Sequence, residues 1–438
     1  DKDPNVESFL NFERKFGNDD NAVVVVQSKG GSLNSSFSQI TQELTDRIWQ
    51  VNEIIRVDSL NNFIFSEGKG DEIIIEPIIK IKTEDEPYDA KEILRKIRQE
   101  KILTNYLISS GMETQLVIAR VVPEVVKIPD HSKITNDIKK ILKEFREKYP
   151  DYKFHLTGSV VVVDDFTMAT IDDLSFLVPL LYLIFILIIY WRYKSIPTIM
   201  LVFTTISFSI WLMMGFCGYL GLEINTLTGA APNILMTVAM SDAIHLMSAF
   251  FESRKKGFSF KDATYYSFDK NFYPTLLTSV TTSIGFLSFF SALVEPVAHL
   301  GVMVGVGVLF AWLVSYFFLA PAIVLCEKFF PKFEGVNLNG EKDLKPGKIS
   351  VQSTRIISQF KWHIVTSTIL LFIFGVFYGQ KLEVNMDPME QFQATHPSVV
   401  SNNIVSSEMG YSSSFEIRFD SGKVEGAKDP NFLNKVES

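Results

Sequence analysis

The chain has 438 residues, of which 47% are hydrophobic and 21% charged, and its formal net charge at pH 7 is −8. It contains no block of basic residues interleaved with aromatic residues, so nucleic acid is not an expected partner. Hydrophobic residues are concentrated between residues 174 and 380, whereas residues 1–172 and 381–438 are polar and of mixed charge. This division predicts a membrane protein with soluble domains attached, and not a globular enzyme.

The polar first part, residues 1–172, alternates between strand and helix patterns. Runs rich in β-branched residues predict strands, and amphipathic runs predict helices. The strands are Ala22–Gln27, Glu72–Ile79, Thr114–Val122 and Tyr152–Leu156, and the helices are Ser36–Val51 and His131–Tyr149. This order favours an α+β sandwich of the ferredoxin-like type, with the helical segment Ala90–Ser109 as an insertion. Both cysteines, Cys217 and Cys326, lie in or beside apolar stretches, so the soluble parts have no disulfide framework.

Six stretches reach or approach the roughly 20 apolar residues that a membrane-spanning helix needs. They are Leu174–Tyr190, Ile196–Leu220, Asn225–Phe251, Tyr273–Leu293, Pro296–Leu325 and Trp362–Gly379. Basic residues follow the first, third and fifth stretches, whereas the alternate connections carry Glu223 and Glu295 and no Lys or Arg. The positive-inside rule therefore predicts that residues 1–172 and 381–438 both lie on the outer side. The segment Phe258–Phe272 is predicted to be an amphipathic helix on the cytoplasmic membrane face, or else a plain connecting helix.

Asp242 most needs a functional explanation, because it lies inside the third apolar stretch. A carboxylate at that depth costs at least about 2.5–3.5 kcal/mol. His245 follows three residues later and therefore shares its helix face. Such a pair points to a proton relay, and the alternative is a structural polar contact between packed helices. Burial favours the neutral form of the carboxyl group, and His245 either shares its proton or orients Asp242 as a neutral hydrogen-bond partner.

Polar residues near this pair are candidates for a supporting role. Thr278, Thr281 and Thr282 share one face of the fourth stretch and are predicted to hydrate or hydrogen-bond the Asp242 region. For each of them taken singly, ordinary packing of Ser and Thr between helices is slightly favoured. Asn233 is predicted to polarise the helix above the site.

Other patterns indicate packing and exclude several kinds of chemistry. Gly301 and Gly305 form a small-xxx-small pair, and together with Gly285 they are interpreted as close-packing points between helices. The six histidines are scattered and no Cys–His cluster occurs, so no metal site is predicted. The chain has no Gly-x-x-x-x-Gly-Lys loop, so ATP is not an expected energy source. Apart from protons as the coupling ion, no cofactor is expected.

The two ends of the chain show a similar pattern. Asp3-Pro4 recurs as Asp387-Pro388, and each pair is followed by a polar lead, a glycine and a strand-like run. This similarity predicts an internal duplication, with chance as the alternative. Under a duplication, the chain would start just after a missing first span and end inside a second copy of the soluble domain.

Three features occur in a fixed order: Thr157-Gly158-Ser159, then Asp242 with His245, then the segment Thr278–Phe286. Together they resemble the resistance–nodulation–division (RND) superfamily, and within it the mycobacterial-membrane-protein-large (MMPL) branch of hydrophobe exporters. The resemblance covers essentially the whole chain. It implies a polytopic α-helical protein with porter-type α+β ectodomains, and a fragment of a duplicated twelve-helix architecture. This chain would hold helices two to seven, and helices two to six also resemble a sterol-sensing domain.

The resemblance also implies roles for particular residues. Asp242 matches the helix-four carboxylate that carries protons in the family, whose partners lie in helix ten. Many relatives have two adjacent acids at this point, whereas this chain has Ser241 before Asp242, which removes one proton carrier. The helix-ten partner is absent from this chain, so the sequence does not contain a complete relay.

The domain boundaries implied by the resemblance are residues 1–172 (first periplasmic ectodomain), 173–326 (helices two to six), 327–360 (cytoplasmic linker), 361–380 (helix seven) and 381–438 (start of the second ectodomain). The implied function is a proton-driven exporter of lipids or other hydrophobic molecules, without enzymatic activity, in contact with the lipids of a bacterial inner membrane. A lipid sensor or scaffold and a SecDF-like protein-translocation motor stay open as alternatives. The sequence leaves homo-oligomerisation and a periplasmic partner undecided.

Overall fold

The computed structural model describes residues 4–16, 20–28, 30–69, 71–79, 88–123, 129–329, 356–382, 387–411, 419–423 and 425–437. These residues form two units. The sheet unit comprises Leu10–Asp165 and Asp387–Ser438, and the helical unit comprises Asp1–Phe9 and Phe166–Met386. Most of the predicted cytoplasmic linker falls at residues 330–355, outside the described residues.

Among the described residues, strands occur only in the first part of the chain. The elements there are α1 (Pro4–Phe16), β1 (Asn21–Ser28), α2 (Ser35–Trp49), β2 (Ile54–Asp58), β3 (Ile64–Lys69), β4 (Glu72–Pro77), α3 (Ala90–Gln99), β5 (Thr114–Val121), α4 (His131–Lys148) and β6 (Tyr152–Thr157). The later elements are α5 (Ser159–Tyr193), α6 (Ile196–Tyr219), α7 (Ala231–Lys255), α8 (Phe260–Leu287), α9 (Glu295–Val314), α10 (Ala320–Phe329), α11 (Lys361–Gly379), α12 (Pro397–Met409) and α13 (Pro430–Glu437). A π-helical turn, Ser315–Leu319, joins α9 to α10.

The main sheet has the strand order β2-β5-β1-β6, and every neighbouring pair is antiparallel. With α2 and α4 as the connecting helices, this is the ferredoxin-like arrangement that the sequence predicts. The insertion lies between β2 and β5, and it consists of the β3–β4 hairpin and α3. The predicted helix Ala90–Ser109 is too long, because the helix ends at Gln99. The sequence analysis missed β2 and β3, which are short.

Both faces of the sheet are buried, which explains why β1 reads as an unbroken run of valines. Val24 and Val26 point into a core formed with α2 and α4. Val25 points to the opposite face, into a second core with the insertion and with Val405 and Met409 of α12. Successive side chains of a strand alternate between faces, so a central strand between two cores must be apolar at every position.

Gly158 makes the turn from β6 into α5. Its φ is +109°, a conformation that L side chains rarely adopt, and a Cβ there would lie 2.5 Å from Asn21 O. The next residue supports the turn, because the Asn21 amide donates a hydrogen bond to Ser159 Oγ (3.0 Å). The Thr-Gly-Ser motif is therefore a structural junction between β1, β6 and α5.

Five described helices are long and apolar enough to cross a membrane: Ser159–Tyr193, Ile196–Tyr219, Thr228–Lys255, Glu295–Phe329 and Lys361–Gly379. Of these, Thr228–Lys255, which contains α7, is the most buried, and α11 is exposed along its length. The predicted span Tyr273–Leu293 is not among the five. Its residues belong mainly to α8, whose run of Ser and Thr lowers the hydropathy. The segment Phe258–Phe272 is helical from Phe260 onward, as predicted, and it continues without a break into the rest of α8.

The three glycines predicted as packing points behave differently. A Cβ on Gly301 would lie 2.5 Å from Phe286 O, and one on Gly305 would lie 2.7 Å from Leu287 Cγ, so both glycines allow α9 to pack closely on α8. A Cβ on Gly285 would meet nothing within 4 Å, so its predicted packing role is wrong. Gly307, which the sequence analysis did not single out, packs against Met213 of α6.

The predicted duplication stays a prediction. Pro4 begins α1, whereas Pro388 begins a short 3-10 turn, Pro388–Gln391. The strand-like run of the second copy falls at residues 412–418, outside the described residues.

Candidate functional site

The centre of the helical unit is α7, and its sequence explains why. Pro232 stands in the first turn, where a missing backbone N–H is tolerated. Farther along, Ala239 and Ala243 are fully buried, and such small side chains let neighbouring helices approach closely. Both α6 and α8 pack on this helix. Polar groups on α7 are therefore removed from water unless a cavity reaches them.

Such a cavity lies between α7 and α8, with a volume of about 360 Å³. Nine of its eleven lining residues carry a hydroxyl, amide, carboxyl or imidazole group, although most of the lining surface is apolar. The lining residues are Thr237, Val238, Ser241, Asp242 and His245 of α7, and Asn271, Pro274, Thr275, Thr278, Ser279 and Thr282 of α8. The volume is sufficient for several water molecules, since one water occupies about 30 Å³ in the liquid.

Asp242 lies at the buried side of this cavity and is only 5% exposed. Ser279 is the side chain next to its carboxyl group. Within the described part of the chain, neither Asp242 Oδ2 nor Ser279 Oγ has a hydrogen-bond partner of normal geometry. A buried carboxyl oxygen without a partner is costly, so the burial of Asp242 needs an explanation.

His245 lines the same cavity and is exposed to it. Among the described residues, no hydrogen bond or ion pair joins it to Asp242. The two predicted residues therefore border one cavity, and no direct bond between them is seen in the described part of the chain.

The other predicted polar residues divide into two groups. Ser241, Thr278 and Thr282 line the cavity. Thr281 is exposed outside it and donates to Leu277 O (2.8 Å), so it does not contact the Asp242 region. Asn233 does not line the cavity either, although its Oδ1 is buried and without a partner among the described residues.

Sequence reasoning missed four polar residues of α7 and α8 that line the cavity. They are Thr237, Asn271, Thr275 and Ser279. The last three recur every four residues, as expected for one helix face. That spacing is visible in the sequence, so these residues could have been predicted by extending the pattern from Thr278 and Thr282.

A group of hydrogen-bonded side chains lies on the α9 side of Thr275. Thr275 Oγ1 lies 3.0 Å from Tyr316 Oη, and Trp312 Nε1 donates to Thr275 Oγ1 at 3.2 Å. The sequence analysis gave these residues no role.

A metal centre is not supported where the structure is described. Across the described ranges, no three His, Cys, Asp or Glu side chains lie close enough together to hold an ion. Cys217 and Cys326 are buried free thiols. The side chains that line the cavity carry hydroxyl, amide, carboxyl and imidazole groups.

Comparisons with known proteins agree with this architecture. A segment of 151 residues, 34% of this chain, is 28% identical to a protein of Methanocaldococcus jannaschii that is named only as a membrane protein. The match spans 38% of that relative's length. The sequence profile of the MMPL family matches residues 6–367, which include both the ferredoxin-like sheet and the helices around Asp242. This chain therefore belongs to the MMPL family.

Proposed function

We propose that this chain is part of a proton-driven exporter of lipids or other hydrophobic molecules, located in a cytoplasmic membrane. Membership of the MMPL family supports an exporter of the RND superfamily. The observation that carries the proton coupling is the Asp242 carboxyl group. It is buried in an apolar helix, lacks a partner for Oδ2 among the described residues, and borders a cavity that several hydroxyl-bearing residues line.

The physical basis of coupling is the difference between the two charge states of Asp242. The protonated group is neutral and tolerates burial between α7 and α8. The ionised group at this depth costs at least about 2.5–3.5 kcal/mol on the insertion scale, so it favours an arrangement that brings water or a cation to it. Loading and releasing one proton therefore shifts the packing of α7 between two states.

The available energy limits how a lipid can be moved. One proton crossing a potential of 150 mV releases roughly 3.5 kcal/mol. Putting a 16-carbon chain into water costs roughly 13 kcal/mol, at about 0.8 kcal/mol per CH₂. A single proton is insufficient for that transfer, so the substrate must stay against apolar protein or lipid along its path.

The test is complementation of a deletion strain by the full-length gene carrying Asp242→Asn, which keeps the size of the side chain and removes the titrating group. Asp269→Asn is the matched control, because Asp269 is an exposed carboxylate on the neighbouring helix α8. The measurements are the lipid composition of the envelope and the protein level. We expect normal expression of both variants and restoration of the lipid profile by the Asp269 variant alone.

Full rescue by Asp242→Asn would contradict the proton-coupled exporter and favour a sensor or scaffold. Failure of both variants at normal protein level would show that the assay responds to loss of negative charge in general. Asp242→Glu adds a further check, because a longer carboxyl group that still titrates is expected to retain part of the activity.

A further inference from the structure

The β3–β4 hairpin of the insertion has an apolar face that is turned outward. Ile64, Ile73 and Ile75 are 63%, 75% and 67% exposed, respectively. The strand register brings them together on one face, because successive side chains of a strand alternate between faces. The six residues of this outer face are all exposed and uncharged, and they are Ile64, Ser66, Gly68, Ile73, Ile75 and Pro77. Contiguous exposed apolar patches mark binding sites, whereas isolated exposed apolar residues need no explanation.

The opposite face of the hairpin carries charged residues and is turned toward α3. Arg95 donates to both carboxylate oxygens of Glu67, at 2.9 and 3.1 Å. Lys96 is buried, donates to Glu76 Oε1 at 2.5 Å and lies over the ring of Phe65. An antiparallel pair with one solvated face normally buries its apolar side chains and exposes its charges, and burying an ion pair costs desolvation. The ion pairs hold this hairpin with its isoleucines outward, which indicates that the outer face has a function of its own.

The outer face has the shape of a shallow step. On β4 the side chains are large, with Ile73 and Ile75 in one row, whereas their cross-strand partners on β3 are Gly68 and Ser66. A Cβ on Gly68 would meet nothing within 4 Å, so the space above it is open. The face extends for about 14 Å along the strands and is two strands, or about 10 Å, wide.

The size and the chemistry of the outer face favour a slender apolar ligand. A stable protein partner contacts about 20–30 residues a side, whereas this face has six. An anionic membrane surface is disfavoured, because Asp71 and Glu72 directly precede Ile73 and repel anionic headgroups. Ser66 is the one residue of the face with a polar side chain, so the ligand gains little from polar contacts.

We propose that the outer face binds the hydrocarbon chain of the exported molecule. The chain lies above Gly68 and Ser66 and against Ile73 and Ile75. This inference rests on the proposed export of hydrophobic molecules, and it meets a requirement of that function, since a long chain needs apolar protein along its path to stay out of water. Burial of apolar surface is non-directional, so the face accepts hydrocarbon chains and does not select a headgroup.

The test is photo-cross-linking of the full-length protein in detergent with a 16-carbon alcohol that carries a diazirine. Its headgroup is uncharged, so that the chain is the part to be recognised. Labelled peptides are located by mass spectrometry, and unlabelled hexadecanol is the competitor. We expect saturable labelling within residues 64–77 that the competitor removes.

Two variants remove the apolar contacts without touching a core. The double variant Ile73→Thr, Ile75→Thr keeps β-branched residues in the strand and should weaken binding of the alcohol by about tenfold or more, because most of two isoleucine contacts is lost. Ser66→Asp places a charge in the middle of the face and should weaken binding to a similar extent. Ile55→Thr is the control, since Ile55 is an exposed isoleucine of β2, outside the hairpin, and it should leave the labelling unchanged. The Tm should be the same in all these proteins, because exposed substitutions have little effect on stability.

The outcomes separate this proposal from its alternatives. Unchanged labelling in both hairpin variants, or labelling confined to other residues, overturns chain binding at the outer face. A disulfide between two copies of Ile75→Cys that blocks the labelling would assign the face to a second copy of the chain. Labelling that occurs in lipid vesicles and not in detergent would assign the face to the membrane surface.

The same labelling distinguishes this proposal from the proton coupling. Asp242→Asn should still be labelled within residues 64–77, because the hairpin contacts do not involve that carboxyl group. Full rescue of export by Asp242→Asn, with the hairpin labelled, would contradict the proton coupling and leave chain binding standing. Loss of rescue in Asp242→Asn, with no hairpin labelling in any protein, would have the opposite meaning.

Discussion

Replacement of Gly301 by alanine is expected to destabilise the helical unit. A Cβ at this position would lie 2.5 Å from Phe286 O and 2.7 Å from Phe289 Cβ. Phe286 O belongs to the backbone of α8 and cannot rotate away. Ordinary contact begins near 3.5 Å, so α8 and α9 must separate by roughly 1 Å. Overpacking of this kind costs about 1–3 kcal/mol.

The assay is thermal unfolding of the full-length protein in detergent or lipid, followed by intrinsic fluorescence. For a cooperative unit of 150–250 residues, 1 kcal/mol corresponds to about 2–4 °C in Tm, so the expected loss is about 2–12 °C. Gly285→Ala is the control, because its Cβ would meet nothing within 4 Å and alanine favours the helix. An equal loss of Tm in both variants, or none in Gly301→Ala, would refute the close-packing account.

Two further predictions concern the sheet unit. Gly158→Ala is expected to lower the free energy of unfolding by more than the roughly 1–3 kcal/mol of an unfavourable backbone conformation, because a Cβ would also clash with Asn21 O at 2.5 Å. Chemical denaturation should show this loss of stability. The control Gly111→Ala should not lose stability, because a Cβ at Gly111 would meet open space. Burial and the nearby Arg146 charge lower the pKa of His155, so the folded state binds its proton less readily than the unfolded state. The stability contributed by neutral His155 is therefore present above the unfolded pKa of about 6.5 and is lost as the pH falls below it. The protection factors of the β6 amides, which correct the exchange rates for their intrinsic pH dependence, should fall from about pH 8 to about pH 5.5 in the wild type and fall less in His155→Gln. An equal fall in both proteins would contradict this assignment.

Local patterns were sufficient to predict the type of most elements. The strands Ala22–Gln27 and Thr114–Val122 and the helix His131–Tyr149 were predicted to within about one residue of β1, β5 and α4. Their β-branched runs and amphipathic spacing are strong and local. Boundaries failed where the pattern was weak, as at Ala90–Ser109, where the helix ends ten residues early.

The candidate site was predicted only in part, and the reason lies in helix geometry. Spacing along α8 shows which residues share a face, but it does not show which face meets α7. Thr278 and Thr282 lie on the cavity side, whereas Thr281 faces away from the cavity. Likewise, the sequence does not distinguish the packing roles of Gly285 and Gly301. Only the contact between α8 and α9 shows that a side chain would clash at Gly301 and not at Gly285.

The sequence by itself determined the class of the protein and the residue whose burial costs the most free energy. The length of an apolar run and the presence of a carboxylate inside it are local properties, so the membrane spans and Asp242 are visible without a structure. Only the tertiary structure decided the surroundings of Asp242: the cavity shared with α8, and the Ser279 hydroxyl beside the carboxyl group. Contacts between helices depend on their rotation and on the π-helical turn before α10, and no residue pattern within a single helix encodes that rotation.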